Sequence, residues 1–253
     1  MKNLIYSFSI GFLLIGIISC ESKTSSPQKR SPQNILNSLQ NNYGSSVLQQ
    51  REITFDVNDV NYKIELNNQD THYTMSRTSR DVDYKTTYKN GFIEYFINDS
   101  LQDESTYNRK FFDSKLDGFI FNTFAPHLLT GNRYNVENLP DTVINDSVYL
   151  TLRVKSKKVP DVPTDEYYFY IDKKTNLVMY SAQYHKLSYD SPTFRRYTNH
   201  KKIKGILFAD YYLFQADNGT LPIDKLHTGF SNLTLKPIEQ VTYKNIEVKN
   251  LLK

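Results

Sequence analysis

Period-two alternation of apolar and polar residues limits most strongly what this chain can fold into. Val60, Tyr62, Ile64 and Leu66 alternate with Asn61, Lys63, Glu65 and Asn67. Val82, Tyr84, Thr86 and Tyr88 alternate with Asp83, Lys85, Thr87 and Lys89, and Ile53-Phe55-Val57 and Val148-Leu150-Leu152-Val154 repeat the pattern. Successive strand side chains point to opposite faces, so the pattern predicts antiparallel strands with one dry and one wet face. Turn signals punctuate it at Asn67-Asn68, Asn90-Gly91, Asn145-Asp146, Lys173 to Asn176 and Lys204-Gly205. Twenty Tyr and fifteen Phe against nine Gly and nine Pro suit a pleated, half-buried surface. The expectation is a mainly β chain of about ten or eleven strands.

Two segments break the alternation with helical spacing. Near the start, Ile35, Leu36, Leu39 and Tyr43 fall on one face, with Ser31 as cap, Pro32 in the first turn and Gly44 as terminator. In the middle, Phe112, Leu116, Phe119, Ile120 and Phe124 recur at helical spacing and stop before Ala125-Pro126. Phe111 and Phe121 make that segment apolar well beyond a narrow stripe, which predicts that it is covered. The second half of the chain carries continuous apolar runs, Tyr167 to Ile171 and Ile206 to Phe208. A sheet that wraps a helix on its concave side and is covered again outside accounts for them.

The N-terminus has a different logic. Met1-Lys2-Asn3 is a short positive region, and Leu4 to Ile18 is an uncharged, mostly apolar run. Its length fits a signal peptide and falls short of the roughly 20 residues that span a bilayer. Ile17-Ile18-Ser19-Cys20 resembles the bacterial lipobox, with Ile18 bulkier than that pattern's usual residue. The resemblance implies cleavage before Cys20 and acyl chains on that cysteine, which at ~0.8 kcal/mol per buried methylene hold a protein to a membrane. An uncleaved anchor helix with an incidental cysteine is the alternative. Residues 1–19 are thus expected to be a signal peptide, 20–33 a lipidated flexible tether and 34–253 a single folded domain. Lipoproteins exported to the Bacteroidota surface often carry an acidic run after the cysteine. Only Glu21 is acidic here, which points to an outer-membrane anchor facing the periplasm.

Chemistry leaves few marks. Cys20 is the single cysteine, so no internal disulfide can form. His72, His127, His185, His200 and His227 are widely separated, with no pair at helical ligand spacing. No GxSxG, P-loop or GxGxxG is present; Gly229-Phe230-Ser231-Asn232-Leu233 lacks the second glycine. Asp103-Glu104 and Asp165-Glu166 read as solvated loop charges, and catalytic pairing needs a convergence that sequence does not display. Lys155, Lys157 and Lys158 form one basic run, and Arg195, Arg196, Lys201, Lys202 and Lys204 form another. Both adjoin predicted turns, where charge ordinarily serves solubility. A net charge of +4 argues against nucleic acid as a partner. No enzyme activity, metal or cofactor is expected.

The order of elements resembles the LolA/LppX-like fold, and Bacteroidota lipoproteins of that shape in particular. The likeness is carried by the helix ending Asn42-Tyr43-Gly44, by Tyr168-Phe169-Tyr170-Ile171-Asp172-Lys173-Lys174-Thr175 with its turn, and by the hairpin Ile203-Lys204-Gly205-Ile206. It implies a large curved antiparallel sheet or half-open barrel wrapping a few plug helices, with acyl chains held in the apolar space between. Phe112, Leu116, Phe119, Ile120 and Phe124 are on that reading the candidate lining of a cavity for a lipid or other lipophile; as plain core they would look the same. The second functional reading is a non-enzymatic structural or interaction module of a cell-envelope complex, with a filled core.

Overall fold

The computed structural model describes residues 31–67, 71–89, 92–103, 116, 119–120, 123–125, 127, 129, 134–157, 165–184, 191–217 and 221–251. Helix α1, Pro32–Tyr43, opens the folded unit, which runs from Ser31. Ser31 Oγ accepts from the Asn34 N–H at 3.2 Å, so Ser31, Pro32 and Gln33 belong to the helix rather than to a tether reaching residue 33. Ile35, Leu36, Leu39 and Tyr43 are its buried face, as their spacing predicts. A one-turn helix α2, Ser45–Leu48, follows.

Fourteen strands are present among the described residues, in two seven-stranded antiparallel sheets. The first sheet takes β1 (Arg51–Val57), β2 (Val60–Leu66), β3 (Thr71–Ser79), β4 (Val82–Lys89), β5 (Phe92–Ile97) and β6 (Ser100–Leu101). The second takes β7 (Tyr134–Ile144), β8 (Ser147–Ser156), β9 (Glu166–Asp172), β10 (Val178–Tyr184), β11 (Thr193–Ile203), β12 (Ile206–Ala216) and β13 (Leu235–Val241). After Thr242 the chain continues as β14 (Tyr243–Asn250), which leaves the second sheet and pairs antiparallel with β1. The architecture is mainly β with few helices and is not a closed barrel. The count exceeds the expected ten or eleven where alternation is lost. β6 is two residues long, and the run from Leu235 to Asn250 divides at Thr242.

The corner at Thr242 is held by a buried carboxylate, and β14 beyond it by two lysines from the end of β11 and its turn. Asp210, 4% exposed, accepts from the Tyr243 N–H at 2.9 Å and from Asn199 Nδ2 at 3.1 Å. Lys201 Nζ donates to the Tyr243 carbonyl at 2.7 Å, and Lys204 Nζ donates to that of Val248 at 2.8 Å. These lysines sit near a turn, as the sequence indicates, but they tie β11 to β14 instead of merely facing water.

The sheets differ in cover. The first buries one face: Ile53, Phe55, Val57, Tyr62, Ile64, Leu66 and Tyr73 point into a common core. The second is covered on both faces, which is why β9 reads as an unbroken apolar run. One face packs against α1 through Leu152, Val154, Tyr167, Phe169 and Ile171. The other packs Tyr168, Tyr170, Ala182 and Phe194 against α3, Leu226–Ser231.

The three segments that carry the fold resemblance meet in space. Gly44, at φ +87°, sits so close to Gly205 that a Cβ would overlap the Gly205 carbonyl oxygen. Lys202 Nζ donates to the Asn42 carbonyl at 3.1 Å, and Asn42 Nδ2 donates to that of Asn176 at 3.0 Å. The Val178 N–H donates to Tyr43 Oη at 3.1 Å. The end of α1 is thus bolted to the β9–β10 and β11–β12 turns, so the helix cannot slide along the sheet.

Candidate functional site

The described residues between 116 and 127 are helical, as their spacing predicts, and lie among both groups of core residues. Leu116, Ile120 and Phe124 are at most 1% exposed and pack with β1, β2, β12 and β14. Phe119 is partly buried, stacked on Tyr62 at 4.4 Å between ring centres and tilted against Phe55 at 6.2 Å. Phe124 meets Phe208 edge-on at 6.0 Å. Phe112 and Cys20 lie outside the described residues.

A cavity of about 20 Å³ lies beside this segment. It has room for about one water. Thr123 and Ala125 line it, with Tyr43, Tyr197, Tyr211 and Tyr243. Leu116, Phe119, Ile120 and Phe124 are not among its lining residues; they are packed side chain to side chain. The cavity wall is amphipathic, since Thr123 Oγ1 and Tyr243 Oη share a hydrogen bond of 2.8 Å and Tyr197 Oη one of 3.1 Å with Ser181 Oγ. Burial pushes the Tyr43, Tyr211 and Tyr243 hydroxyls well above the ordinary tyrosine range, so all three stay protonated donors.

No family model matches the chain, and no curated protein matches it. Among solved structures the chain is similar in fold to a DUF1329 family protein from Desulfovibrio piger. The TM-score is 0.52 at 11% identity, over 88% of this chain and 96% of that one. At such identity the likeness is one of fold, and it agrees with the β-rich architecture of large antiparallel sheets and few helices expected from the order of elements.

The other sequence candidates disperse. His72 Nδ1 meets Glu65 at 2.8 Å near the surface, and His200 Nε2 bonds the Val178 carbonyl at 3.2 Å. His227 Nδ1 lies 3.4 Å from Tyr170 Oη, and His185 is outside the described residues. Among the described residues no three His, Cys, Asp or Glu side chains converge as metal ligands would. Glu166 is not a free loop charge: it accepts from Arg153 Nε at 2.8 Å and from Tyr168 Oη at 3.0 Å. A wide polar groove of about 630 Å³ runs along the first sheet's hairpins, between Asp56, Arg77, Asp83 and Lys85. No described helix is long and apolar enough to cross a membrane.

Two buried polar groups escape the sequence reading. His127 is 6% exposed; its Nδ1 meets Ser45 Oγ at 2.6 Å, and its Nε2 has no hydrogen-bond partner. Arg195, read from the basic run as a surface charge, is 2% exposed on the α1 side of the second sheet. The only sequence signal is parity. In a sheet covered on both faces, Phe194 and Arg195 point opposite ways, so one face had to receive an arginine.

Proposed function

We propose that the protein is a lipoprotein, acylated at Cys20, that holds a lipid or other lipophile between its half-barrel and the helical residues described between 116 and 127. The observation that carries this reading is the arrangement itself. Two large sheets are present, and the helical residues Leu116, Phe119, Ile120 and Phe124 pack large apolar side chains into the core beside them, which supports a half-barrel stopped by a helix. Acyl chains are held by apolar burial at ~25 cal/mol per Å², so no particular set of polar residues is required. The lipobox-like Ile17-Ile18-Ser19-Cys20 and the apolar run before it support an anchor in the outer membrane facing the periplasm. Anchored there, the domain would handle envelope lipids or lipoproteins and needs no cofactor. Extraction of gently purified protein, with mass spectrometry of the extract and titration with a fluorescent fatty acid, tests the reading. Absence of both a co-purifying lipid and fatty-acid binding overturns it.

A second reading, a structural or interaction module of an envelope complex, is favoured by one observation: the cavity beside the helical segment is about 20 Å³. On that reading the core is permanently filled. Exposed apolar side chains such as Phe92, 73% exposed, and Leu233, 89% exposed, would then serve contacts with other proteins. Capture of a stable protein neighbour by a tagged copy, with no lipid in the eluate, would favour it over the first.

A further inference from the structure

Arg195 stands in the middle of β11, beside Ser181 on β10 and Leu213 on β12. Strand alternation puts Thr193 and Tyr197 on the same face. Arg195 is 2% exposed and Thr193 1%; on their face the cross-strand partners Ser181 and Gln183 are buried and neutral, with apolar Phe169 and Leu213 in the Arg195 row. The Arg195 guanidinium lies 5.3 Å from the centre of the Tyr211 ring, one of the walls of the small cavity. Yet its Nε and Nη1, and the Oγ1 of Thr193, are buried without any hydrogen-bond partner.

A guanidinium stays charged at every accessible pH, so this site cannot relieve itself by losing a proton. Buried charges are ordinarily paired, and an unpaired one is among the costliest features a fold can keep. Arg153 on β8, three strands away, shows the usual solution in this same sheet. It is more exposed than Arg195, yet it has Glu166 at 2.8 Å and Glu137 at 3.3 Å. Among the described residues Arg195 has no carboxylate at ion-pairing distance. What the site lacks is an anion, and it lacks it on the face that the lipophile reading assigns to the ligand.

We infer that Arg195, with Thr193 beside it, is the head-group anchor for an acidic amphiphile, a ligand whose carboxylate or phosphate is held by the guanidinium while its apolar part lies along the aromatic face. This rests on the lipophile reading and narrows it. Acid-bearing chains should be preferred over neutral ones of equal length, because only they complete the buried charge. The Thr193 hydroxyl supplies a further donor, and the Tyr211 ring holds the guanidinium plane in place.

The test is competition against a bound fluorescent fatty acid on the full chain. Hexadecanoic acid, hexadecanol, palmitoyl lysophosphatidic acid and monopalmitin are the competitors. Charge-assisted hydrogen bonds predict a gap of about tenfold to a hundredfold between each acid and its neutral counterpart. The larger of the two gaps identifies carboxylate or phosphate as the preferred head. Arg195→Met should erase the gap while leaving hexadecanol within about twofold of the parent. Arg195→Lys, which keeps the charge, should retain part of it. If Arg195→Met does not fold, the wild-type comparison and Thr193→Val, expected to narrow the gap, still decide. Equal binding of acids and neutral analogues by the wild type overturns the head-group assignment and leaves the lipophile reading standing. Binding of none of the four overturns both.

Discussion

His127 should make this protein lose stability in mild acid. Its ring is 6% exposed, between Tyr43 at 6.3 Å and Phe124 at 6.2 Å, and burial lowers its pKa from 6.5 to about 4. Its Nδ1 is engaged with Ser45 Oγ, while Nε2 has no partner, so protonation would bury an N–H with nothing to accept it. The folded state therefore keeps the ring neutral where the unfolded chain binds a proton. The histidine's contribution is fully present above the unfolded pKa and is lost as pH falls toward the folded one. With these two pKa values, linkage gives a loss of about 2 kcal/mol between pH 7 and pH 5, and about 3 kcal/mol by pH 4. Burial also lowers the pKa of His200 and His227, so they act in the same direction. The wild type must be compared with His127→Asn, whose side-chain oxygen keeps an acceptor near the Ser45 hydroxyl but cannot titrate. Urea unfolding at pH 7 and pH 5 should show the wild type losing about 2 kcal/mol more than the variant. Parallel losses in the two proteins would refute the assignment of the effect to His127.

Gly44→Ala places a Cβ against the Gly205 carbonyl oxygen at a backbone φ of +87°, and should cost about 2–3 kcal/mol, read from the urea midpoint at constant slope. Ile120→Ala removes a side chain 1% exposed at the centre of the core and should cost about 2–5 kcal/mol in the same assay. Cys20→Ser should abolish incorporation of labelled palmitate and leave the melting temperature of the folded domain unchanged; labelling that persists would sink the lipidation proposal. Saturation with a fatty acid should speed amide hydrogen exchange in residues 116–127 if the ligand replaces that segment in the core.

The first sheet and α1 were legible because each has one wet face. Alternation at Val60 to Leu66 and the Ser31, Pro32 and Gly44 signals of the helix are local chemistry, and local chemistry is what sequence displays. The second sheet was legible only as a composition. With α1 on one face and α3 on the other, β9 carries no period from which to read register or orientation. Arg195 was hidden for the same reason, inside a run of cationic residues whose lysines, Lys201, Lys202 and Lys204, do lie near a turn and reach carbonyls. The burial of Leu116, Ile120 and Phe124 was readable from spacing. Their packing against other side chains instead of a cavity was not, because filled and collapsible interiors use the same residues.

A filled interior does not by itself decide between the two functional readings, and magnitudes show why. Displacing four or five large side chains of the 116–127 segment into water costs roughly 1.5–3 kcal/mol each, on the order of 10 kcal/mol together. A palmitoyl chain of about fourteen methylenes gains ~0.8 kcal/mol for each one buried, again on the order of 10 kcal/mol. Exchanging the helical segment for an acyl chain is therefore close to neutral in apolar burial. The balance is tipped by whatever differs between the two occupants. The helical segment offers no described carboxylate to Arg195, whereas an acidic amphiphile does. The apolar exchange makes binding permissible, and the unpaired guanidinium supplies the difference in free energy that makes it selective.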